Sequence, residues 1–308
     1  VVNTPRTAAE LDARLDQYAR SLRVPVSRVR VVVSSVIVAQ MLPGGVVIKG
    51  GLGIKLRLGE LGTRATSDLD AVVPRPSAGA SPYEPTIVLL ARILARGWGS
   101  VPPSKTQRRR NPDAPDRVAF TGTVRAGDRH DPGVHHPEYL MQPVRVTISF
   151  LGHPWSHVDL ELAQPEVNLD DAQTIPVEDG LSQLFDSLNF GPLAEVAVLR
   201  PEVQIAQKIH ALTSPTSDRA HDLVDIQLLW TDLLDQELLE ESCRRTFEYR
   251  HEHAWPPLPL RDMAADRARY SVAATEARLG APASPVRADL DAATAWLTSR
   301  IEDMSGAS

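Results

Sequence analysis

Cysteine is almost missing: the chain has one, Cys243, in 308 residues. A single thiol excludes an internal disulfide framework and a cysteine-built zinc site, and it fits a reducing compartment. Long apolar runs are missing too. The longest, Val31 to Leu42, falls short of the roughly 18 to 20 residues that span a bilayer, and Ser34, Ser35 and Gln40 break it. The opening Val1-Val2-Asn3-Thr4-Pro5 shows no charged n-region leading into an apolar stretch, so no signal peptide is expected. Basic charge is not in excess either. With 33 Lys and Arg against 39 Asp and Glu, the net charge of -6 argues against a wholly basic nucleic-acid coat but leaves room for a local basic track. No internal repeat is visible. These absences predict a cytoplasmic protein with no membrane partner.

What is present fits a globular protein of one large domain or two, with 43% hydrophobic and 23% charged residues. The pattern predicts helices over Thr7 to Leu22 and Val26 to Leu42. The second is rich in β-branched residues, but Pro25 and Pro43-Gly44-Gly45 punctuate it as a helix. Val46 to Ile48 and Asp68 to Val73 read as strands, with a short helix or turn from Leu52 to Leu61 between them. Ile87 to Trp98 reads as a helix closed by Gly99. Pro102 to Pro143, poor in apolar residues, reads as a long surface excursion. Val144 to Leu151 and His157 to Leu162 alternate like paired antiparallel strands, and Ala194 to Leu199 adds another. Helical patterns follow over Val203 to Thr213, Arg219 to Leu234, Gln236 to Tyr249, Arg261 to Arg278 and Ala288 to Met304, with Pro201 suited to a first helical turn. The expected organisation is an α/β domain over residues 1–180 and a mainly helical domain over 181–308.

Three stretches carry chemistry. In the first, Lys49-Gly50-Gly51 follows a strand and Asp68-Leu69-Asp70 opens the next. Residues two apart on a strand share a face, so Asp68 and Asp70 project together, and a divalent cation relieves their repulsion. Mg²⁺ suits a few carboxylates plus phosphate oxygens. Gly50 and Gly51 let backbone N–H groups approach a phosphate, with Ser67 adding a hydroxyl. An ordinary turn and a solvated strand end would explain each part alone; the order of the parts is what points to a site. The second stretch is Val158-Asp159-Leu160-Glu161-Leu162. It offers Asp159 or Glu161 as the third carboxylate of two-metal phosphoryl chemistry, or else a solvent-facing acidic edge. In the third, Lys208 interrupts an apolar helix. Arg219, Asp222 and Asp225 then fall three apart on one helix face, which Ser217 or Asp218 would cap. A surface or packing ion pair between Arg219 and Asp225 is the plain alternative.

Taken together, Lys49-Gly50-Gly51, Arg64-x-Thr66-x-Asp68-x-Asp70, the helix from Pro201-Glu202 to Leu212 with Lys208, and Arg219-x-x-Asp222-x-x-Asp225 resemble the AbiEii-type nucleotidyltransferase toxins. These include the MenT toxins of mycobacterial toxin–antitoxin pairs. The resemblance runs from about Val26 to Trp255 and takes in Thr246-Phe247-Glu248-Tyr249-Arg250. It implies an α+β fold with a polymerase-β-like core and mixed sheet plus a C-terminal helical domain. It also implies transfer of NMP from an NTP to RNA, with tRNA 3′ ends as acceptors in the mycobacterial relatives, and a cognate antitoxin as partner. By position it gives Asp68 and Asp70 as the metal pair, Lys208 as the functional lysine and Asp222 as the last catalytic aspartate.

The expected reaction is in-line attack of a hydroxyl on the NTP α-phosphate, with Mg²⁺ or Mn²⁺ held by Asp68 and Asp70 and with Asp159 as third ligand. Gly50, Gly51 and Ser67 would position phosphates, Lys208 with Lys55 or Arg57 would neutralise the triphosphate, and Lys49, Lys55 and Arg57 compete for phosphate contact. Asp222 would orient Lys208 or act as base; Arg219, Asp225 and Glu161 would lend support. For RNA, Lys105, Arg108, Arg109 and Arg110 form the densest basic segment, expected as a mobile loop. His130, His135, His136, His153 and His157 are too irregularly spaced to suggest a metal site. A small-molecule nucleotidyltransferase and a catalytically inactive binding module are the alternatives; the intact Asp68/Asp70 pair speaks against the second.

Overall fold

The computed structural model describes residues 4–75, 81–128, 140–166, 172–215, 217–279, 281 and 283–306. The chain divides into two compact units, each assembled from three stretches. One comprises Val1–Arg57, Thr66–Pro165 and Thr174–Ala197; the other comprises Leu58–Ala65, Glu166–Gln173 and Val198–Ser308.

The first unit opens with α1 (Ala8–Leu22), whose Thr7 side chain caps it by accepting the Glu10 N–H, and which buries Leu11, Leu15 and Ala19. α2 (Val26–Ala39) is helical despite its valines, because every residue from Val32 to Ala39 is buried. A helix buried nearly all round needs no polar stripe, and packing overrides β propensity. Next come β1 (Val47–Lys49), α3 (Gly50–Leu58) and β2 (Asp68–Val72). α4 (Glu84–Arg96) ends earlier than its pattern predicts, and Trp98 belongs instead to β3 (Trp98–Val101). The reason is Gly97. It sits at φ +80°, and a Cβ there would come within 2.1 Å of the Phe120 carbonyl oxygen. The chain therefore reverses at Gly97, and Trp98 stacks on Phe120.

The expected excursion from Pro102 to Pro143 is a second correction. It contains α5 (Lys105–Arg110) and a ten-residue strand, β4 (Arg117–Ala126). β4 pairs antiparallel with β5 (Gln142–Phe150), from Phe120 opposite Phe150 to Ala126 opposite Val144. Its apolar count is low because Arg117, Thr123 and Arg125 are exposed while only Ala119, Phe120 and Gly122 are buried. β5 pairs antiparallel with β6 (His153–Ala163), as the alternation predicts. With β7 (Ala172–Ile175) and β8 (Val196–Leu199) the mixed sheet runs β3-β4-β5-β6-β2-β1-β8-β7, and β2 lies parallel to β6. Between β7 and β8, α6 (Asp179–Leu188) buries Leu181, Leu184, Phe185 and Leu188, a helical stripe absent from the expectations above.

The second unit is mainly helical. α7 (Pro201–Thr213) starts on Pro201, and α8 (His221–Leu229) is shorter than its pattern suggests. Neither Ser217 nor Asp218 caps α8. Ala220 occupies the cap position without a side-chain bond, and the Ser217 hydroxyl accepts from the Arg219 N–H instead. α9 (Gln236–Arg250) is capped by Asp235; α10 (Arg267–Arg278) follows a 3-10 turn at Ala264–Asp266; α11 (Leu290–Ser305) is capped by Asp289. Cys243 is buried in α9, and burial, aided by Glu240, pushes its thiol up, away from thiolate chemistry. No helix among the described residues is long and apolar enough to cross a membrane.

Candidate active site

In the first unit the sheet register assembles the acidic residues. Asp70 lies opposite Lys49 on β1 and opposite Glu161 on β6, while Asp68 lies opposite Asp159. Paired residues of neighbouring strands share a face, so Asp68, Asp70, Asp159 and Glu161 line one side of the sheet. The intervening Leu69, Ala71, Leu160 and Leu162 are buried on the other. The carboxylates are therefore presented by a strand pair whose opposite face is fixed in the core.

The glycines have a specific function here. Gly50, at φ +66°, begins α3, and a Cβ on it would lie 2.1 Å from Asp70 Oδ2; one on Gly51 would lie 2.7 Å from Thr66 Oγ1. Only hydrogen at Gly50 lets the helix start against the Asp70 carboxylate, and the backbone conformation there also favours glycine. Asp68 Oδ1 accepts from the Ser67 backbone N–H at 3.2 Å and from the Ser67 hydroxyl, so Ser67 orients Asp68. Asp159 is exposed and gripped by Arg145, with bonds of 2.7 and 3.2 Å. The Arg145 guanidinium holds the Asp159 carboxyl below the usual carboxylate range. Lys49 is half-buried, and Lys55 is buried on α3, its relative exposure 1%.

The expected RNA segment is not a loop. Lys105, Arg108, Arg109 and Arg110 are exposed on α5, which a capping box between Ser104 and Gln107 starts. His153 and His157 are exposed on β6, whereas His130, His135 and His136 lie outside the described residues.

In the second unit Lys208 is enclosed by acid. Its ammonium donates to Asp222 Oδ1 and Asp225 Oδ2, both at 2.7 Å. Asp222 also accepts from Arg219 Nε at 2.7 Å, and Asp225 receives two bonds from Arg64, at 2.9 and 2.8 Å. The simple Arg219–Asp225 pair is thus replaced by a five-residue network. Burial alone would raise both aspartates; Lys208 with Arg219 on Asp222, and Lys208 with Arg64 on Asp225, outweigh it and hold both ionised. Burial likewise opposes the Lys208 charge, and Asp222 and Asp225 more than restore it. Arg64 is missing from the expected site residues, as is Thr66. Their signal was the alternation Arg64-x-Thr66-x-Asp68-x-Asp70.

The family described as nucleotidyl transferase AbiEii toxin, type IV TA system, matches residues 36–297 of the chain. Among curated proteins none matches. Of solved structures, the nucleotidyltransferase toxin MenT4 of Mycobacterium tuberculosis H37Rv is similar, with 16% identity and a TM-score of 0.48, covering 92% of this chain and 98% of its own. An H. pylori protein provisionally classed as a nucleotidyltransferase is similar at 12% identity and a TM-score of 0.39, covering 89% and 91%.

Proposed function

The chain belongs to the AbiEii family of nucleotidyltransferase toxins, and from that premise we propose that it transfers NMP from an NTP to RNA in the cytoplasm, at the tRNA 3′ end, blocking translation until an antitoxin neutralises it. The observation that carries the site is the register of β2: Asp68 and Asp70 share a face with Asp159 and Glu161, and Gly50 abuts the Asp70 carboxylate.

This oxygen-only donor set fits a hard divalent cation such as Mg²⁺ or Mn²⁺. Asp68 and Asp70 would hold it, with Asp159 or Glu161 as the third carboxylate. When bound, such a cation neutralises charge on the triphosphate and on the attacked phosphorus. The chain's own residues supply the positioning. Ser67 fixes the Asp68 rotamer. The first N–H groups of α3, at Gly50 and Gly51, belong to residues with no side chain of their own and can donate to a phosphate. Lys49, opposite Asp70 in the register, supplies a cation beside the carboxylates. In the second unit we assign Lys208 the family's functional lysine and Asp222 the carboxylate that orients it, while Arg64, Arg219 and Asp225 hold both in place.

The test is incubation with labelled NTPs, Mg²⁺ and total RNA, scored for which nucleotide labels which RNA. Asp70→Asn keeps size and hydrogen bonding but removes a metal-binding charge. Transfer should fall at least about a thousandfold, roughly 4 kcal/mol at the transition state. Its melting temperature should hold or rise, because a repulsion is relieved. Full RNA labelling by folded Asp70→Asn would overturn the mechanism; labelling of a small molecule and no RNA would move the acceptor class.

A further inference from the structure

A second cluster of metal-ligating side chains lies in the helical unit. His210 stands in the last turn of α7, and Glu252 and His253 follow directly on α9. Each offers one donor atom, and the three donors lie within 4.8 Å of one another. His210 has a relative exposure of 1%, and its Nε2 is buried with no hydrogen-bond partner; His253 Nδ1 is likewise buried and unpartnered. Two orphaned imidazole nitrogens in one place call for an occupant, because a buried polar atom left unpaired costs stability.

The hydrogen bonds fix which electrons are available. Thr213 Oγ1 lies 2.8 Å from both the Ile209 carbonyl oxygen and His253 Nε2; with its proton directed to the carbonyl, the hydroxyl accepts from His253 Nε2. In that arrangement His253 carries its proton on Nε2 and presents the Nδ1 lone pair, the tautomer a ligand histidine needs. A ligand histidine ordinarily donates its other ring N–H to an acceptor that orients the ring, and the Thr213 hydroxyl takes that place here. His210 meets Arg250 only through a long 3.4 Å contact at Nδ1. Arg250 is otherwise bound to Glu166 at 2.9 and 3.0 Å, which offsets its charge. Moving the His210 proton from Nε2 to Nδ1 frees Nε2 at the expense of that long contact, and no net proton is released. Phe247 packs edge-on against both rings, at 4.8 Å each, giving the site an apolar wall.

We infer that His210, His253 and Glu252 bind a d-block divalent cation of the Zn²⁺ class, distinct from the oxygen-ligated site on β2. Two imidazoles and a carboxylate are the donor set that such ions prefer and that Mg²⁺ does not. Donors around a tetrahedral ion stand about 3.3 Å apart, so the three donors draw together when the ion binds. The ion ties the segment after α9 to the end of α7, two residues beyond Lys208.

Untagged full-length protein titrated with Zn²⁺, followed by calorimetry and by melting temperature, tests this. Co²⁺ absorption reports the coordination. Wild type and Asp68→Asn/Asp70→Asn should both bind one tight equivalent and melt several degrees higher with Zn²⁺ in hundredfold excess over Kd. His253→Ala should lose more than the roughly 10- to 100-fold that removal of an outer-shell partner costs. The exposed Glu252→Gln, which leaves the core untouched, should weaken binding about tenfold. No stoichiometric Zn²⁺ in wild type would overturn the inference, leaving water as the occupant. So would binding that survives His253→Ala and Glu252→Gln unchanged, or binding that disappears only in the double aspartate variant.

Discussion

On β2 and β6, Asp68, Asp70, Asp159 and Glu161 crowd one face of a sheet at half-buried or exposed positions, whereas Asp222 and Asp225 are fully buried among Lys208, Arg64 and Arg219. The first group sets four like charges side by side, with Lys49 opposite Asp70 and Arg145 opposite Asp159. The second sets two anions among three cations. Gathering charge of one sign at a surface costs stability and prepares an electrostatic site. Burying matched charge holds a lysine in one geometry, and its components become costly to remove singly. Neutralising one aspartate should therefore have opposite consequences in the two units.

The largest effect should come from the β2 side: Asp70→Asn abolishes transfer and leaves the melting temperature alone. The reverse is expected of Asp225→Ala. It removes the carboxylate that binds Arg64 twice and leaves Lys208 with Asp222 as its one carboxylate of the pair, both cations being buried or nearly so. Breaking a buried pair by removing one partner costs about 3 to 5 kcal/mol. Chemical denaturation should show that loss. A melting temperature that falls as far in Asp70→Asn as in Asp225→Ala would erase the distinction between the two groups.

How much of this could be read from residues alone depended on the range of the interaction. Asp68 and Asp70 were legible because strand alternation is local, and α2 was legible through its flanking prolines and glycines. β4 was not, since Arg117, Thr123 and Arg125 mask its buried Ala119 and Phe120, and the strand exists because β3 and β5 flank it. α6 is legible in the helical spacing of Leu181, Leu184, Phe185 and Leu188. Ser104-x-x-Gln107 announced α5 through its capping box, and the charge of the segment outweighed that signal. The Arg64–Asp225 pair spans 161 positions, beyond any local pattern. His210 and His253 are 43 residues apart and share no motif spacing.

Acid should weaken the buried network. Asp222 and Asp225 have carboxyls lowered by Lys208 and the arginines. A lowered folded-state value means that their stabilisation is complete above the unfolded carboxylate value of about 3.9 and drains away as pH falls below it. Lys208 is raised, so its share is complete below its ordinary range and lost as pH climbs past roughly 10.4. Stability of the wild type measured from pH 5 down to pH 2 should fall steeply, and that of Asp225→Ala should fall less. Parallel curves would remove the network as the source of the acid sensitivity.

The smallest expected effect concerns the acceptor and bears on the surface of the first unit rather than its carboxylates. Arg108, Arg109 and Arg110 are exposed on α5, and the capping bonds that start that helix come from Ser104 and Gln107. Changing all three arginines to Ala leaves the cap intact and substitutes a good helix former, so the fold should not respond. If α5 meets RNA phosphates, labelling should weaken in the variant. The slope of log affinity against log salt should also flatten by about 0.7 per lost contact, about 2 for all three on a single strand. NTP affinity should be unchanged, because these residues lie outside the Gly50-Gly51 cradle. A parallel salt series for wild type and variant would leave α5 a solvated helix and shift the search for the RNA surface elsewhere.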